Sequence, residues 1–187
     1  MLEEYKVHEK ERSLLGIPAL PLNGKQVADL IELIKKPLAE EAFLLDLFSN
    51  RIPAGVDQAA YIKAAFLADI TKSRVKTPLI DKPLATKLLG TMLGGYNIEP
   101  LVNLLEDEEV GDIAVKALSN TLLIFDTFYD IFELSKKNKG AKKVITSWAE
   151  AEWFLNRPQV AECISAMVLK VDGEINTDDL SPGPEAW

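Results

Sequence analysis

The longest apolar stretch of the chain, residues 114–134, limits the folds that the sequence can adopt. Ten of its side chains fall on two adjoining sides of a helix with 3.6 residues per turn: Leu118, Leu122, Phe125, Tyr129 and Phe132, and beside them Ala114, Ala117, Ile124, Phe128 and Ile131. A face this wide needs covering neighbours on both sides. Asp126 and Asp130 argue against a membrane span. The stretch therefore predicts one continuous, buried helix at the centre of a helical protein.

Composition and charge exclude several classes of function. The 187 residues are enough for one full domain with some chain left over, and the formal net charge of −8 opposes binding to nucleic acids or anionic membranes. The single cysteine, Cys163, cannot supply a disulfide framework or a cysteine-ligated metal site from this chain alone. The N-terminal residues contain no signal-peptide core. We therefore expect a cytoplasmic protein without a membrane segment.

Proline and glycine divide the chain into amphipathic segments up to about residue 158. The patterns predict helices near residues 5–15, 27–34, 40–49, 57–72, 84–92, 97–105, 114–134 and 144–155, with Asp57 as an N-cap and Gly94 and Gly95 ending the fifth helix. Short turns favour antiparallel pairs, so the predicted fold is all-α, a HEAT-like α-solenoid followed by a short β-containing tail. No fixed repeat is visible, and an irregular helical bundle is the alternative.

The hydrophobic period changes after residue 160. Met167, Leu169 and Val171 alternate with Val168, Lys170 and Asp172. This period of two predicts a strand, and Gly173 predicts a turn after it. One strand and a loop bury too little surface to fold alone. The sequence therefore predicts a helical domain over residues 1–160 and an incomplete β-containing unit over 161–187, the front part of a larger protein.

Three groups of polar residues are candidates for chemistry. His8 is the only histidine, so any histidine-dependent triad or metal cluster must use it, but its charged helix favours an exposed surface role. Asp126, Asp130 and Glu133 share one helical face, as metal ligands or, more simply, as hydrated carboxylates. Five lysines within residues 136–143 suggest either contact with RNA or an acidic partner, or a solvated turn.

The remaining candidates have structural explanations. Gly90, Gly94 and Gly95 lack the strand and GK[ST] ending of a phosphate-binding loop, and the end of a helix explains them. Trp148, Trp153 and Phe154 fit core packing better than an exposed partner surface. The residues by themselves therefore predict an acidic helical packing or interaction domain with no active site.

Longer strings resemble a known family. They are EEAFLLDLFSNRIPAGVDQAAYIKAAFL (40–67), KLLGTMLGGYNIEPLVNLL (87–105), KALSNTLLIFDTFYD (116–130), WAEAEWFLNRP (148–158) and GEINTDDLSPGPEAW (173–187). They are similar, colinearly over nearly the whole chain, to the N-terminal region of aconitase B, the bacterial bifunctional aconitate hydratase and 2-methylisocitrate dehydratase. One departure is Glu99, which stands where the family usually has histidine.

The resemblance implies an architecture. Residues 1–160 would be the HEAT-like domain and residues 161–187 the opening strand and loop of the swivel domain. Residues 176–182 match the family signature NTDDLSP. By this likeness Thr177, Asp178, Asp179 and Ser181 would belong to a swivel loop that faces the active-site cleft, with a positioning role.

The resemblance also implies a function. The parent lyase of the tricarboxylic acid cycle interconverts citrate and isocitrate through cis-aconitate, with a 4Fe–4S cluster as the Lewis acid. The cluster cysteines would lie downstream of Trp187, so this chain is expected to hold no cofactor and to be inactive alone. Its expected roles are contact with its own catalytic domains, homodimerisation and shaping of active-site access. The family is also linked to mRNA binding, which the charge opposes. The alternative is a free-standing scaffold that binds RNA or an acidic partner through residues 136–143.

Overall fold

The computed structural model describes residues 1–121, 126–151, 155–156, 161–168, 170 and 173. The regular structure within these residues is α-helical, in elements that we number α1 Leu2–Leu14, α2 Gly24–Lys35, α3 Glu41–Asn50, α4 Gln58–Thr71, α5 Lys82–Leu89, α6 Ile98–Asn103, α7 Gly111–Ser119, α8 Asp126–Ser135 and α9 Lys139–Ala149. The prediction of a helical protein is confirmed for the described part of the chain. None of these helices is long and apolar enough to cross a membrane.

Side-chain caps fix where several helices begin. Asn23 forms a capping box with Gln26 at the start of α2. Asp57, Asp81 and Asn138 each accept a hydrogen bond from the amide three residues later, at the starts of α4, α5 and α9. Each cap satisfies an amide that helix geometry leaves unpaired. The prediction that Asp57 is an N-cap is confirmed.

The helices pack mainly on near neighbours along the chain. Helix α2 packs against α3 and α4, α4 against α5, α5 against α7, and α7 against α6 and α9, while α8 packs against α9. Phe48, Leu67, Leu89 and Leu118 are examples of fully buried side chains in this series. The hydrophobic core therefore extends from one helix pair to the next.

The prediction of one continuous buried helix over residues 114–134 is wrong. Helix α7 ends at Ser119 and α8 begins at Asp126, while residues 122–125 lie outside the described part. Asn120 Nδ2 and Thr121 Oγ1 donate to the carbonyl oxygens of Lys116 and Ala117. The amide of Thr121 donates to the carbonyl oxygen of Leu118, three residues back, so the four-residue pattern of α-helical hydrogen bonds does not continue. The apolar pattern carried no signal for this break.

Two predicted helix ends also differ from the structure. Helix α5 ends at Leu89, before Met92 and the Gly94–Gly95 pair. The amides of Leu93 and Gly94 donate to the carbonyl oxygen of Ala54, which draws the chain away from the helix axis. Helix α9 ends at Ala149, so Ala151 and Leu155 do not continue it, and Leu155 is exposed.

The predicted strand does not occur among the described residues of the tail. Residues 164–168 and 170 have no regular structure, and Met167 and Val168 are 87% and 90% exposed. A strand needs a neighbouring strand for its backbone hydrogen bonds, and the described helices offer none. The predicted loop residues Thr177, Asp178, Asp179 and Ser181 lie outside the described residues. The domain boundary near residue 160 stays a prediction.

Candidate interaction surface

Helix α8 presents an exposed group of aromatic rings, which we call the α8 aromatic surface: Phe128, Tyr129 and Phe132. These side chains are 37%, 68% and 43% exposed. Phe128 stacks on Phe132 and on Trp148, with ring centroids 6.4 and 6.0 Å apart. Clustered aromatic rings are typical of protein interfaces because they bury a large area with little loss of side-chain freedom.

Trp148 is the buried residue on which Phe128 of the α8 aromatic surface stacks. It is 8% exposed, and its Nε1–H donates to the carbonyl oxygen of Leu118 over 3.0 Å. This bond joins α9 to the last turn of α7. The prediction of core packing is confirmed for Trp148, whereas Trp153 and Phe154 lie outside the described residues.

A second apolar area lies on the first helix. Val7, Leu14 and Leu15, which we call the α1 apolar surface, are 56%, 80% and 73% exposed. The helix is anchored by Tyr5, its one buried residue, whose hydroxyl donates to the carbonyl oxygen of Leu20 and accepts from Arg51 Nε. Most of the apolar area of α1 therefore faces outward.

The candidate metal and catalytic residues form no cluster. His8 Nε2 accepts the amide of Leu20 over 3.0 Å, so the imidazole fastens α1 to the segment before α2. Glu133 pairs with Lys136 at 2.6 Å, and Asp130 is exposed. Within the described ranges, no three His, Cys, Asp or Glu residues are placed to hold a metal ion. His8 and Glu133 therefore have local structural roles.

Lys63 is a buried cation that the sequence analysis missed. Its residue exposure is 3%, its Nζ donates to the carbonyl oxygen of Ser49 over 3.2 Å, and it lies 5.5 Å from the ring centre of Phe48. Burial lowers the pKa of the Lys63 ammonium from 10.5 to about 8. The ammonium stabilises the carboxyl end of α3, where carbonyl oxygens lack helical partners. The signal was available, because Lys63 lies on the same stripe as Ala59, Ala60 and Leu67.

An ion pair fixes the acidic turn before α7. Lys82 Nζ lies 2.5 Å from Asp107 Oδ2, and the two side chains are 22% and 24% exposed. The hydrogen bond from Lys82 is the main cause that lowers the pKa of the Asp107 carboxyl, aided by the amides of Val110 and Glu109, which donate to Asp107 Oδ1. The acidic turn before α7 thus also connects this helix to α5.

Gly90 and Gly94 allow close packing between segments. A Cβ on Gly94 would lie 1.9 Å from the carbonyl oxygen of Gly55, and a Cβ on Gly90 would lie 2.7 Å from the Cβ of Ala117. Nearby, the buried Asn97 donates through Nδ2 to the carbonyl oxygens of Leu89 and Met92. Gly90 is the C-cap of α5, as the sequence analysis expected of the glycines, whereas Gly94 lies beyond the helix and allows the close approach to Gly55.

Comparison with known proteins identifies the family. A family model described as the aconitate B N-terminal domain matches residues 4–154. The chain is similar to the aconitate hydratase B proteins of Escherichia coli (strain K12), Salmonella typhimurium (strain LT2) and Helicobacter pylori (strain J99), with identities of 58%, 56% and 48%. Each match covers all of this chain and 22% of the relative. The alternative of a free-standing RNA-binding scaffold is not favoured by these matches. The resemblance found in the sequence is confirmed, and the chain belongs to the family of aconitate B N-terminal domains.

Proposed function

We propose that this chain is the N-terminal interaction domain of a cytoplasmic aconitate hydratase B and that it is inactive by itself. The observation that carries the proposal is the family match over residues 4–154, supported by identities of 48–58% across the whole chain. Because the chain spans 22% of the length of these relatives, catalysis is assigned to the rest of the parent enzyme.

The parent enzyme would interconvert citrate and isocitrate through cis-aconitate at a 4Fe–4S cluster. Such a cluster is held by several cysteine thiolates, and this chain has one cysteine, so its residues do not fit the cluster. The experiment compares the 187-residue chain with the full-length enzyme after the same iron–sulfur reconstitution. We expect the cis-aconitate absorbance to change with citrate for the full-length enzyme alone. Turnover by the 187-residue chain would refute the proposal.

The proposed arrangement of the helices is a HEAT-like array. Support comes from the packing order α2, α4, α5, α7 and α9, in which each helix meets the next one. In such arrays, stability is nearly a sum of local and nearest-neighbour contributions. Leu30→Ala, which opens a cavity at a fully buried position of α2, should speed hydrogen exchange in α2–α4 and leave α9 unchanged. Equal acceleration in α9 would favour a single cooperative bundle.

The proposed association is a homodimer formed through the α1 apolar surface. Two of its side chains are on α1 and the third, Leu15, directly follows it; all three are exposed, and a contact with a second copy would remove their apolar area from water. The α8 aromatic surface is assigned instead to the catalytic domains of the same chain, because α8 packs on α9, from which the chain continues. Access to the active site would be shaped at this second contact.

Light scattering during size-exclusion chromatography tests the association. We expect a molar mass twice the 20.7 kDa of one chain. Leu14→Glu/Leu15→Glu should give a monomer, since it places two charges in the apolar contact, whereas Tyr129→Glu should remain a dimer. A strict monomer at high concentration would count against self-association but not against membership of the family.

A further inference from the structure

The chain contains one asparagine that is followed by glycine, Asn23–Gly24, and this dipeptide lies at the start of α2. Glycine has no side chain to hinder its amide nitrogen, and its backbone rotates freely enough to bring that nitrogen against the preceding side chain. Asn–Gly is therefore the dipeptide in which a backbone amide most readily attacks the asparagine side chain. The other asparagines of the chain precede larger residues. The sequence thus singles out Asn23 as the position most open to this reaction.

The reacting groups of this dipeptide are accessible in the folded chain. Asn23 is exposed, and Gly24 is half-buried. The Gly24 amide is the first of α2, where helix geometry offers no acceptor, and it has no partner among the residues that the structure describes. Hydrolysis needs water at the same place, and an exposed side chain provides it. The fold therefore excludes neither the attacking nitrogen nor the water.

The capping box holds Asn23 in a conformation that does not react. Asn23 Oδ1 accepts the amide of Gln26 over 3.0 Å, and the Asn23 amide donates to Gln26 Oε1 over 2.9 Å. The backbone at Asn23 is extended, with ψ of 171°. Ring closure requires the Gly24 nitrogen to eclipse the Asn23 Cβ about the Cα–C bond, and an extended ψ keeps these two atoms apart. Reaction therefore requires local opening of the first turn of α2.

We propose that Asn23 is a covalent modification site, at which opening of the first turn of α2 permits deamidation. The nitrogen of Gly24 bonds to Asn23 Cγ, and Asn23 Nδ2 leaves as ammonia with the proton that the Gly24 amide gives up. Water then opens the resulting succinimide at one of its two carbonyl carbons and gives aspartate or isoaspartate. Water is the only co-reactant in this sequence of steps. The site is independent of the role proposed for the domain in the aconitate hydratase.

The two products act differently on the fold. Aspartate keeps a cap oxygen and adds a negative charge at the helix N-terminus, where such a charge is favourable. Isoaspartate adds one carbon to the backbone and so displaces the groups that form the capping box. Leu22 and Val27, which flank this box, are both fully buried, and a longer backbone between them displaces packed side chains. The isoaspartate form therefore loosens the start of α2, and the aspartate form does not.

Peptide mapping by mass spectrometry tests the site in the 187-residue chain during incubation at mildly alkaline pH. Chromatography before the mass measurement separates the aspartate and isoaspartate forms. We expect Asn23 to react faster than the other asparagines, but more slowly than in a synthetic peptide of residues 20–27, which is too short to form a helix. Asn138 is the internal control, because it caps α9 through the amide of Ala141 but precedes Lys139. No excess at Asn23 over Asn138 would overturn the site, and a rate equal to that of the peptide would overturn the need for opening.

Variants separate the effect of the cap from that of the dipeptide. Gln26→Ala removes one of the two bonds of the capping box and should speed the reaction about threefold or more, the rise in the open population that loss of one hydrogen bond predicts. Gly24→Ala should slow the reaction, because the added methyl group hinders the amide nitrogen. Its Cβ would meet the movable side chain of Gln58 at 3.0 Å, so the fold is retained. An unchanged rate in Gln26→Ala, with folding checked by circular dichroism, would contradict the control by the cap.

Urea unfolding tests the different effects of the two products. Asn23→Asp does not deamidate and should unfold at the same urea concentration as freshly prepared wild type. Wild type that has accumulated isoaspartate during incubation should unfold at a lower urea concentration. Equal stability of the isoaspartate form and Asn23→Asp would contradict the proposed loss of the capping box.

Discussion

Replacing Lys63 with methionine should change how the stability of the chain depends on pH. The pKa of the buried Lys63 ammonium falls from 10.5 to about 8, because burial disfavours the charged form. Between these two values the unfolded chain still holds the proton and the folded chain has released it. The unfolded state therefore binds more protons, and the free energy of unfolding rises with pH across this window.

The magnitude follows from the same two values. The lowering from 10.5 to about 8 corresponds to ~3 kcal/mol at 1.36 kcal/mol per pKa unit. Most of this gain, about 2.5 kcal/mol, is expected between pH 7 and pH 10. At pH 7, Lys63→Met removes the cost of the buried charge but also the hydrogen bond to Ser49, a loss of about 1–2 kcal/mol. The variant should thus be about 1 kcal/mol more stable at pH 7 and less stable than the wild type at pH 10.

Urea unfolding of wild type and variant at pH 7, 8, 9 and 10 measures this difference directly. Groups other than Lys63 titrate in both proteins and cancel in the comparison. Lys72→Met at the end of the same helix is the matched control, because Lys72 is exposed and its charge stays hydrated when the chain folds. A difference between wild type and Lys63→Met that is constant from pH 7 to pH 10 would refute the reasoning.

Three further substitutions test individual contacts. Asp107→Asn should destabilise the chain at pH 7 by loss of the Lys82 pair, and the difference should vanish as the pH falls below 3.8 through the lowered folded pKa, as acid unfolding monitored by circular dichroism would reveal. Trp148→Phe should cost about 1 kcal/mol in urea unfolding, because the indole hydrogen bond to the carbonyl oxygen of Leu118 is lost while the amide of Thr121 still donates to that oxygen. Gly94→Ala should cost about 3 kcal/mol or more, since its Cβ would lie 1.9 Å from the carbonyl oxygen of Gly55. Gly55→Ala, whose Cβ meets open space, should change thermal stability little, and equal losses for the two glycines would contradict the close approach.

The helices were predictable where local chemistry decided them. Asp57 followed by an apolar run identified the start of α4, and the amphipathic pattern over residues 27–34 identified α2, whose buried residues include Val27, Leu30 and Ile34. These signals act within one turn of helix, so a single sequence contains them. The family was predictable for a different reason, since long colinear strings are far more specific than any short motif.

The predictions from the sequence are wrong or incomplete where distant residues or side-chain hydrogen bonds determine the structure. Hydrogen bonds from the side chains of Asn120 and Thr121 back to the helix accompany the break after Ser119, and an apolar pattern does not report these. The buried Lys63 depends on the carbonyl oxygen of Ser49, fourteen residues earlier. The side-chain nitrogen of Asn138 is buried and lacks a hydrogen-bond partner among the described residues, which only the packed structure reveals. A polar residue within an apolar stripe of a helix, such as Lys63, is the sequence pattern that indicates a buried polar group.

Removal of residues 1–149 from the full-length enzyme tests the central claim most directly. The claim is that this domain joins two enzyme chains in a homodimer and shapes access to a catalytic centre that lies elsewhere in the parent chain. We predict that the shortened enzyme keeps its iron–sulfur absorbance, has the molar mass of a monomer by light scattering, and shows an altered KM for citrate. A shortened enzyme that remains a dimer with an unchanged KM, or that loses its cluster because the removed residues held it, would contradict the account.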